Sequence, residues 1–318
     1  MISISIRSGI AKILFSAAPF AFLVACSSVE IPAANQLATS GVAASAAAQD
    51  ATETTRADLI QVLRIETLRS ALQPGISPPS QSMTDSIGQI RQQLAARSAM
   101  FGDLKDLYSS FLALASYDAS AAFTSAATET RTSINAFADA LGKASPFGDV
   151  SGPAIDTVAG IVGEEIQKRK IRSASKTVRR AVEQVVALLE SPEEGKAMTR
   201  IRQAVVEEYA EGAKALWDAG VLNAKDRIAG LVRIEGFAVV PSVTSSDPKI
   251  RAAIDEDIEF ALTQRMELEE MTHRQTIGTM KALIDRHREL EEEKPLSLEQ
   301  LLGELNRLVE LAKTIKGT

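Results

Sequence analysis

The stretch IRSASKTVRRAVEQVVAL, residues 171–188, decides the fold class of this chain. Ile171, Ala174, Val178, Ala181, Val185 and Leu188 recur in it at alternating steps of three and four. That spacing lines all six along one stripe of an α-helix, the seam by which helix packs on helix. The pattern returns in Leu298, Leu301, Leu305, Leu308, Ala312 and Ile315, which predicts a terminal helix packed back as an antiparallel neighbour. Composition agrees: 45% of residues are apolar but only 4% aromatic, and Ala, Leu, Glu, Lys, Arg and Gln dominate. Such a chain folds, and it folds as helices.

Between these seams the punctuation sets the helix ends. Leu59, Val62, Leu63, Leu68 and Leu72 predict a helix over 55–72, stopped by Pro74-Gly75 and Pro78-Pro79. From Ser80 to Leu141 the pattern predicts continuous helix with soft points at Gly88 and Gly102, and its half from Leu107 to Thr128 carries Asp118 as its one charge. Gly142, Pro146, Gly148 and Gly152 make a connection, after which helix is expected from Ile155 to Glu190. Ser191-Pro192-Glu193-Glu194 reads as a capping box that starts a helix running to Gly220. Residues 232–246, with Gly236, Pro241 and Phe237-Ala238-Val239-Val240, read as a short irregular or extended segment. A helix from Asp247 to Glu292 would be about 69 Å long at about 1.5 Å per residue. A compact globule of this mass is about 50 Å across. The expected architecture is therefore an all-α, elongated bundle of long antiparallel helices. A second capping box, Ser297 with Gln300, opens the last helix.

The first 26 residues have a different character. Arg7 and Lys12 lead into Ile13-Leu14-Phe15 and Phe20-Ala21-Phe22-Leu23-Val24, then Ala25 and Cys26, the single cysteine of 318 residues. The apolar run is too short to cross a bilayer and Pro19 interrupts it, so it reads as a secretory leader. Leu23-Val24-Ala25-Cys26 resembles the lipobox of bacterial lipoproteins. The resemblance covers the leader alone and implies cleavage before Cys26, acylation of its thiol and new amino terminus, and palmitate-type anchoring without a span. Ser27, in place of Asp, implies sorting to the cell outer membrane, lipid-anchored and facing the periplasm. On this reading 1–25 is a cleaved signal peptide, 26–55 a flexible Ala/Ser/Thr-rich tether and 56–318 the helical bundle domain.

Charge and motifs narrow the chemistry. A formal charge of −6, two units more negative without Arg7 and Lys12, speaks against nucleic acid as a partner. With Cys26 acylated, no thiol remains for a disulfide or thiolate metal site. The sequence has no Gly-x-Ser-x-Gly, Gly-Lys-Ser/Thr, Gly-x-Gly-x-x-Gly or His-Glu-x-x-His motif. No enzyme and no cofactor are expected. Glu270 and His273 match the Glu-x-x-His spacing of di-iron bundles, but a second copy is missing, so they are weak metal candidates. His273 and His287, fourteen residues apart, fall on one side of the long helix in a stripe with Met266, Ile277, Met280 and Ile284. Lys168, Arg169, Lys170, Arg172, Lys176, Arg179 and Arg180 crowd the helix of the opening seam and none lies on the seam. They form either a surface for an anionic partner or a face paired with acidic runs such as Glu267, Glu269 and Glu270 or Glu291-Glu292-Glu293. Leu107–Thr128 with the glycine-bearing apolar run 158–163 suggests a membrane-entering hairpin, but its serines favour a buried bundle helix. The expected role is an envelope scaffold or protein-interaction module with an unidentified envelope protein partner; the alternative is a lipid-binding or membrane-active helical protein.

Overall fold

The computed structural model describes residues 30–72, 81–116, 119–147, 164–203, 209–218 and 248–317. These residues form helices and no strand. In chain order the helices are α1 (Glu30–Leu72), α2 (Gln81–Ser116), α3 (Ser120–Ala140), α4 (Glu164–Leu189), α5 (Pro192–Gln203), α6 (Tyr209–Asp218), α7 (Pro248–Glu291) and α8 (Leu298–Gly317). They pack as an all-α bundle, with α1 touching α2, α4, α6, α7 and α8. The extended segment expected at 232–246, the leader and residues 158–163 lie outside the described residues.

The seams behave as their spacing requires. Ile171, Ala174, Val178, Ala181, Val185 and Leu188 are all buried, as are Leu301, Leu305, Leu308, Ala312 and Ile315. Cross-helix bonds give the directions. Arg172 reaches Glu293 while Lys281 reaches Glu190, so α4 and α7 run antiparallel. Gln275 donates to the Glu304 carbonyl at 3.0 Å and Arg286 to the Ser297 carbonyl, which sets α8 antiparallel to α7.

The region expected as a tether is the main departure. From Glu30 to Thr55 the chain is the first half of α1, and Ala34, Leu37, Ala38, Ala44 and Ala48 sit inside the largest core cluster. Alanine has the best helix propensity and loses no side-chain entropy on burial, so this composition suits a helix as well as a linker. Burial here covers most of the helix: Ser40, Gly41, Ser45, Ala47, Ala51 and Thr52 are enclosed too, leaving Gln36, Thr39, Asp50 and Glu53 on an exposed strip. With small polar residues inside as well as outside, the sequence shows no apolar stripe that stands out from a polar face. A close approach is made at Gly41, where an added Cβ would stand 2.2 Å from the ring of Tyr108 on α2.

A second departure divides the helix expected over 80–141. The chain reverses between α2 and α3, which brings Phe111 to 6.4 Å from Phe123, ring centre to ring centre. No glycine or proline marks that turn, so its sequence carries no breaker to read. One face of the charge-poor stretch on either side of that turn becomes core, with Leu107, Tyr108, Phe111, Leu114, Phe123 and Ala127 buried. Gly142 ends α3 at φ 72°, with Lys143 N–H bonded to the Ala138 carbonyl at 2.8 Å and Gly142 N–H to that of Asp139 at 2.8 Å. That is a Schellman end, for which glycine is the favoured residue. α7 ends in the same pattern, but the left-handed place is taken by Glu293 at φ 58°.

Of the two expected capping boxes, the first forms by half. Ser191 Oγ accepts the Glu194 N–H at 3.3 Å, but the Glu194 carboxylate turns into the bundle. At α8 the Ser297 N–H is taken by Glu289 of α7 at 3.1 Å, where Gln300 was expected.

Gly41→Ala tests whether α1 belongs to the core. Its favourable helix propensity, about 1 kcal/mol, is outweighed by overpacking against Tyr108, with a net loss of about 1–2 kcal/mol in urea unfolding. Leu37→Ala is expected to cost about 2–5 kcal/mol. A neutral result at both positions would return this region to a tether.

Candidate functional site

The two histidines nucleate two polar clusters at different levels of α7. The first is wholly enclosed: Tyr108, Ser175 and His287 each have no exposed surface. Tyr108 Oη lies 3.1 Å from His287 Nε2, and Ser175 Oγ lies 2.8 Å from Nδ1. Ser175 Oγ also stands 3.4 Å from the His287 carbonyl. One assignment uses every proton: the phenol donates to Nε2, Nδ1–H donates to Ser175, and Ser175 donates to the carbonyl. Burial, aided by the charge of Arg179, holds the imidazole pKa down at about 3, so the ring is neutral. Burial pushes the Tyr108 phenol up, so it stays protonated. Serine, imidazole and phenol in a row are the ingredients of proton-transfer chemistry, but no substrate can reach them. Their role is to join α2, α4 and α7.

The second cluster centres on Arg97 of α2, which is buried and donates to the buried carboxylate of Glu194 on α5 at 2.6 Å. The same guanidinium stands 3.2 Å from His273 Nδ1, 3.4 Å from Met198 Sδ, and 5.8 Å from the centre of the Phe101 ring. Since arginine only donates, Nδ1 of His273 is the acceptor and that ring carries its proton on Nε2. Burial raises the Glu194 carboxyl above its ordinary range, against the downward pull of Arg97. Nearby, Arg265 of α7 bonds Asp58 of α1 at 2.7 Å and the Ile315 carbonyl of α8, with Glu269 at 3.7 Å. A cavity of about 20 Å³ lies among Arg97, Glu269, His273, Thr52, Thr272 and Thr276, space for a single water. The three threonine hydroxyls donate to Ala48, Leu268 and Thr272 carbonyls of their own helices at 2.7–2.8 Å. Its walls therefore offer methyl groups and ions already paired, which makes it a junction of helices and no substrate chamber.

Glu270 and His273 do not converge on a metal position. Glu270 is held by Arg274, one turn on, while His273 Nδ1 faces the Arg97 guanidinium. Among the described residues no group of three or more His, Cys, Asp or Glu could hold an ion.

The seven cations of α4 divide. Arg179 forks onto both oxygens of Glu291 at 2.9 and 3.0 Å and also bonds Glu183 at 2.8 Å, while Arg172 pairs with Glu293. The acidic run at the end of α7 thus complements α4 within the bundle, whereas Glu269 and Glu270 are occupied on α7 itself. Lys168 pairs with Glu165 at 3.0 Å, and Lys170 is half-buried. Arg169, Lys176 and Arg180 are exposed.

No known protein family, curated protein or solved structure matches the chain. Function has to be argued from its own residues. Arg97, Glu194, Tyr108 and Ser175 escaped sequence reading because their partners lie far along the chain. The available signals were a carboxylate at a helix start and a serine beside the seam residue Ala174.

Two measurements check these clusters. An unfolded imidazole takes up its proton near its ordinary 6.5, the buried one near 3, so stability falls as pH drops through that window. Each tenfold loss of proton affinity on folding corresponds to about 1.4 kcal/mol, so the loss approaches about 5 kcal/mol at the acid end. Comparison with His287→Gln isolates it, because that slope disappears in the variant, and NMR of the imidazole nitrogens should show no titration of His287 above about pH 4. For the second cluster, Arg97→Met leaves Glu194 buried beside no cation and should cost about 3–5 kcal/mol, while adding Glu194→Leu recovers most of that loss. A single-variant cost under about 1 kcal/mol would show the pair to be incidental.

Proposed function

We propose that this chain is a lipid-anchored envelope protein, held by acylated Cys26 at the periplasmic face of the outer membrane, whose helical bundle serves as a scaffold or protein-interaction module. The observation that carries the reading is continuity: Glu30, the first residue of α1, follows Cys26 by four residues, and α1 is enclosed by the rest of the bundle. An acyl group there anchors the core helix itself. Among the described residues no helix is long and apolar enough to cross a membrane, so the lipid supplies the attachment. Among the described residues the Ser175–His287 pair is enclosed, and the ions near His273 are paired with one another, which favours a binding role over catalysis.

A second reading, binding of anionic lipid by the bundle surface, draws on Arg169, Lys176 and Arg180. Steps of seven and four residues put these exposed cations on one face of α4. Vesicle binding by the unacylated domain that vanishes when all three become Gln would favour it.

Cys26→Ala is the decisive variant for the anchor. It should move the protein from the membrane fraction to the soluble periplasmic fraction and abolish incorporation of labelled palmitate. Retention at the membrane in the variant would sink the reading. Crosslinking in cells tests the scaffold role, which fails if lipid alone is captured.

A further inference from the structure

The position of Cys26 has a geometric corollary once the bundle is laid out from it. Whatever path residues 27–29 take, four residues span at most about 14 Å at about 3.6 Å each. The end of the bundle at which α1 starts therefore stays close to the acyl chains, and other elements end at the same level. Gly41, which lies against Tyr108, is about 16 Å along α1 from Glu30. From Tyr108, α2 continues in that direction for about 12 Å to Ser116, where the chain turns into α3. From Ser175, which shares His287 with Tyr108, α4 runs the same way for about 15 Å to Glu165. His287 itself is one turn from the end of α7, and Arg172–Glu293 holds the turn that follows against α4. Leu296 and Leu298 of that turn pack on the core that also receives Ile31 and Ala33.

We propose that the bundle meets the bilayer end-on, through a face made by the start of α1, the last turn of α2 and the first of α3, the first turns of α4 and the α7–α8 turn, with the phospholipid headgroup layer as its partner. The proposal rests on the acylation of Cys26. Charge at this end is mixed: Lys168, Arg169 and Lys170 lie in the first two turns of α4 and Arg169 is exposed, but exposed Glu165, Glu292 and Glu293 share the level, so the nearness of Cys26 carries the assignment. Arg64, by contrast, lies about 51 Å from Glu30 along α1, on the part of the bundle directed away from the membrane.

The lone cysteine makes the test direct, because acylation consumes Cys26 and leaves an introduced cysteine as the only thiol. The full-length acylated protein, as Lys294→Cys or as Arg64→Cys, is labelled with a short-range donor fluorophore. Each is then reconstituted in vesicles of phosphatidylethanolamine and phosphatidylglycerol carrying a headgroup-linked acceptor. Both sites are exposed. Energy transfer from position 294 should exceed that from position 64 several-fold. Equal transfer, or stronger transfer from position 64, with acylation confirmed by mass spectrometry, overturns the end-on face and leaves the anchor standing. Absence of acylation together with failure to co-sediment with vesicles removes the anchor reading, and the inference with it.

Discussion

Close approach of backbones is the constraint on which the bundle depends. Tyr108 lies flat against the position where Gly41 has no side chain, and around it Ala34, Leu37, Ala38, Ala44 and Ala48 bring α1 near enough to touch several helices at once. Small residues bury little apolar area apiece, but they let larger partners such as Phe101, Leu104, Leu107 and Phe111 fill the space densely. Only a central helix made of such residues can be covered on most sides. Gly212 of α6 repeats the device lower down, where an added Cβ would stand 2.0 Å from Ile65 of α1.

Within that apolar frame the polar clusters fix register. Apolar seams of alternating three and four steps tolerate a slide by one heptad, because one row of Leu and Ala resembles the next. The Tyr108–His287–Ser175 row and the Arg97–Glu194 pair do not tolerate it, since a slide would strand buried donors and charges without partners. Glu293 belongs with them. It occupies a left-handed position that glycine would take at less cost, and its carboxylate meets Arg172 across the interface with α4.

Legibility in the sequence followed contrast between faces. The seams of α4 and α8 combine an apolar stripe with a charged back, so spacing alone located six buried positions from Ile171 to Leu188, though not Ser175, Val182 and Val186 beside them. Half of α1 has no such contrast: Ala, Ser, Gly and Thr are inside as well as outside, and the composition shared by linkers and enclosed helices could not separate the two. The α2–α3 reversal lacked a glycine or proline, so it read as continuous helix. Local signals located Ser191 as a cap and His287 as a member of an apolar stripe. What they could not supply was Arg97 for Glu194, ninety-seven residues away, because pairings across helices are set by the register of the whole bundle.

The enclosure of α1 also determines how the bundle bears mechanical load. A flexible leash would absorb tension by uncoiling before any contact broke. Here a pull applied at the start of α1 against the far end of the bundle would travel along the axis of α1. Its contacts with α2 would then be loaded in parallel and strained in shear, where many small interactions must yield together. The bundle would transmit such force as a stiff strut and give way abruptly, at the row of small residues on which Tyr108 rests.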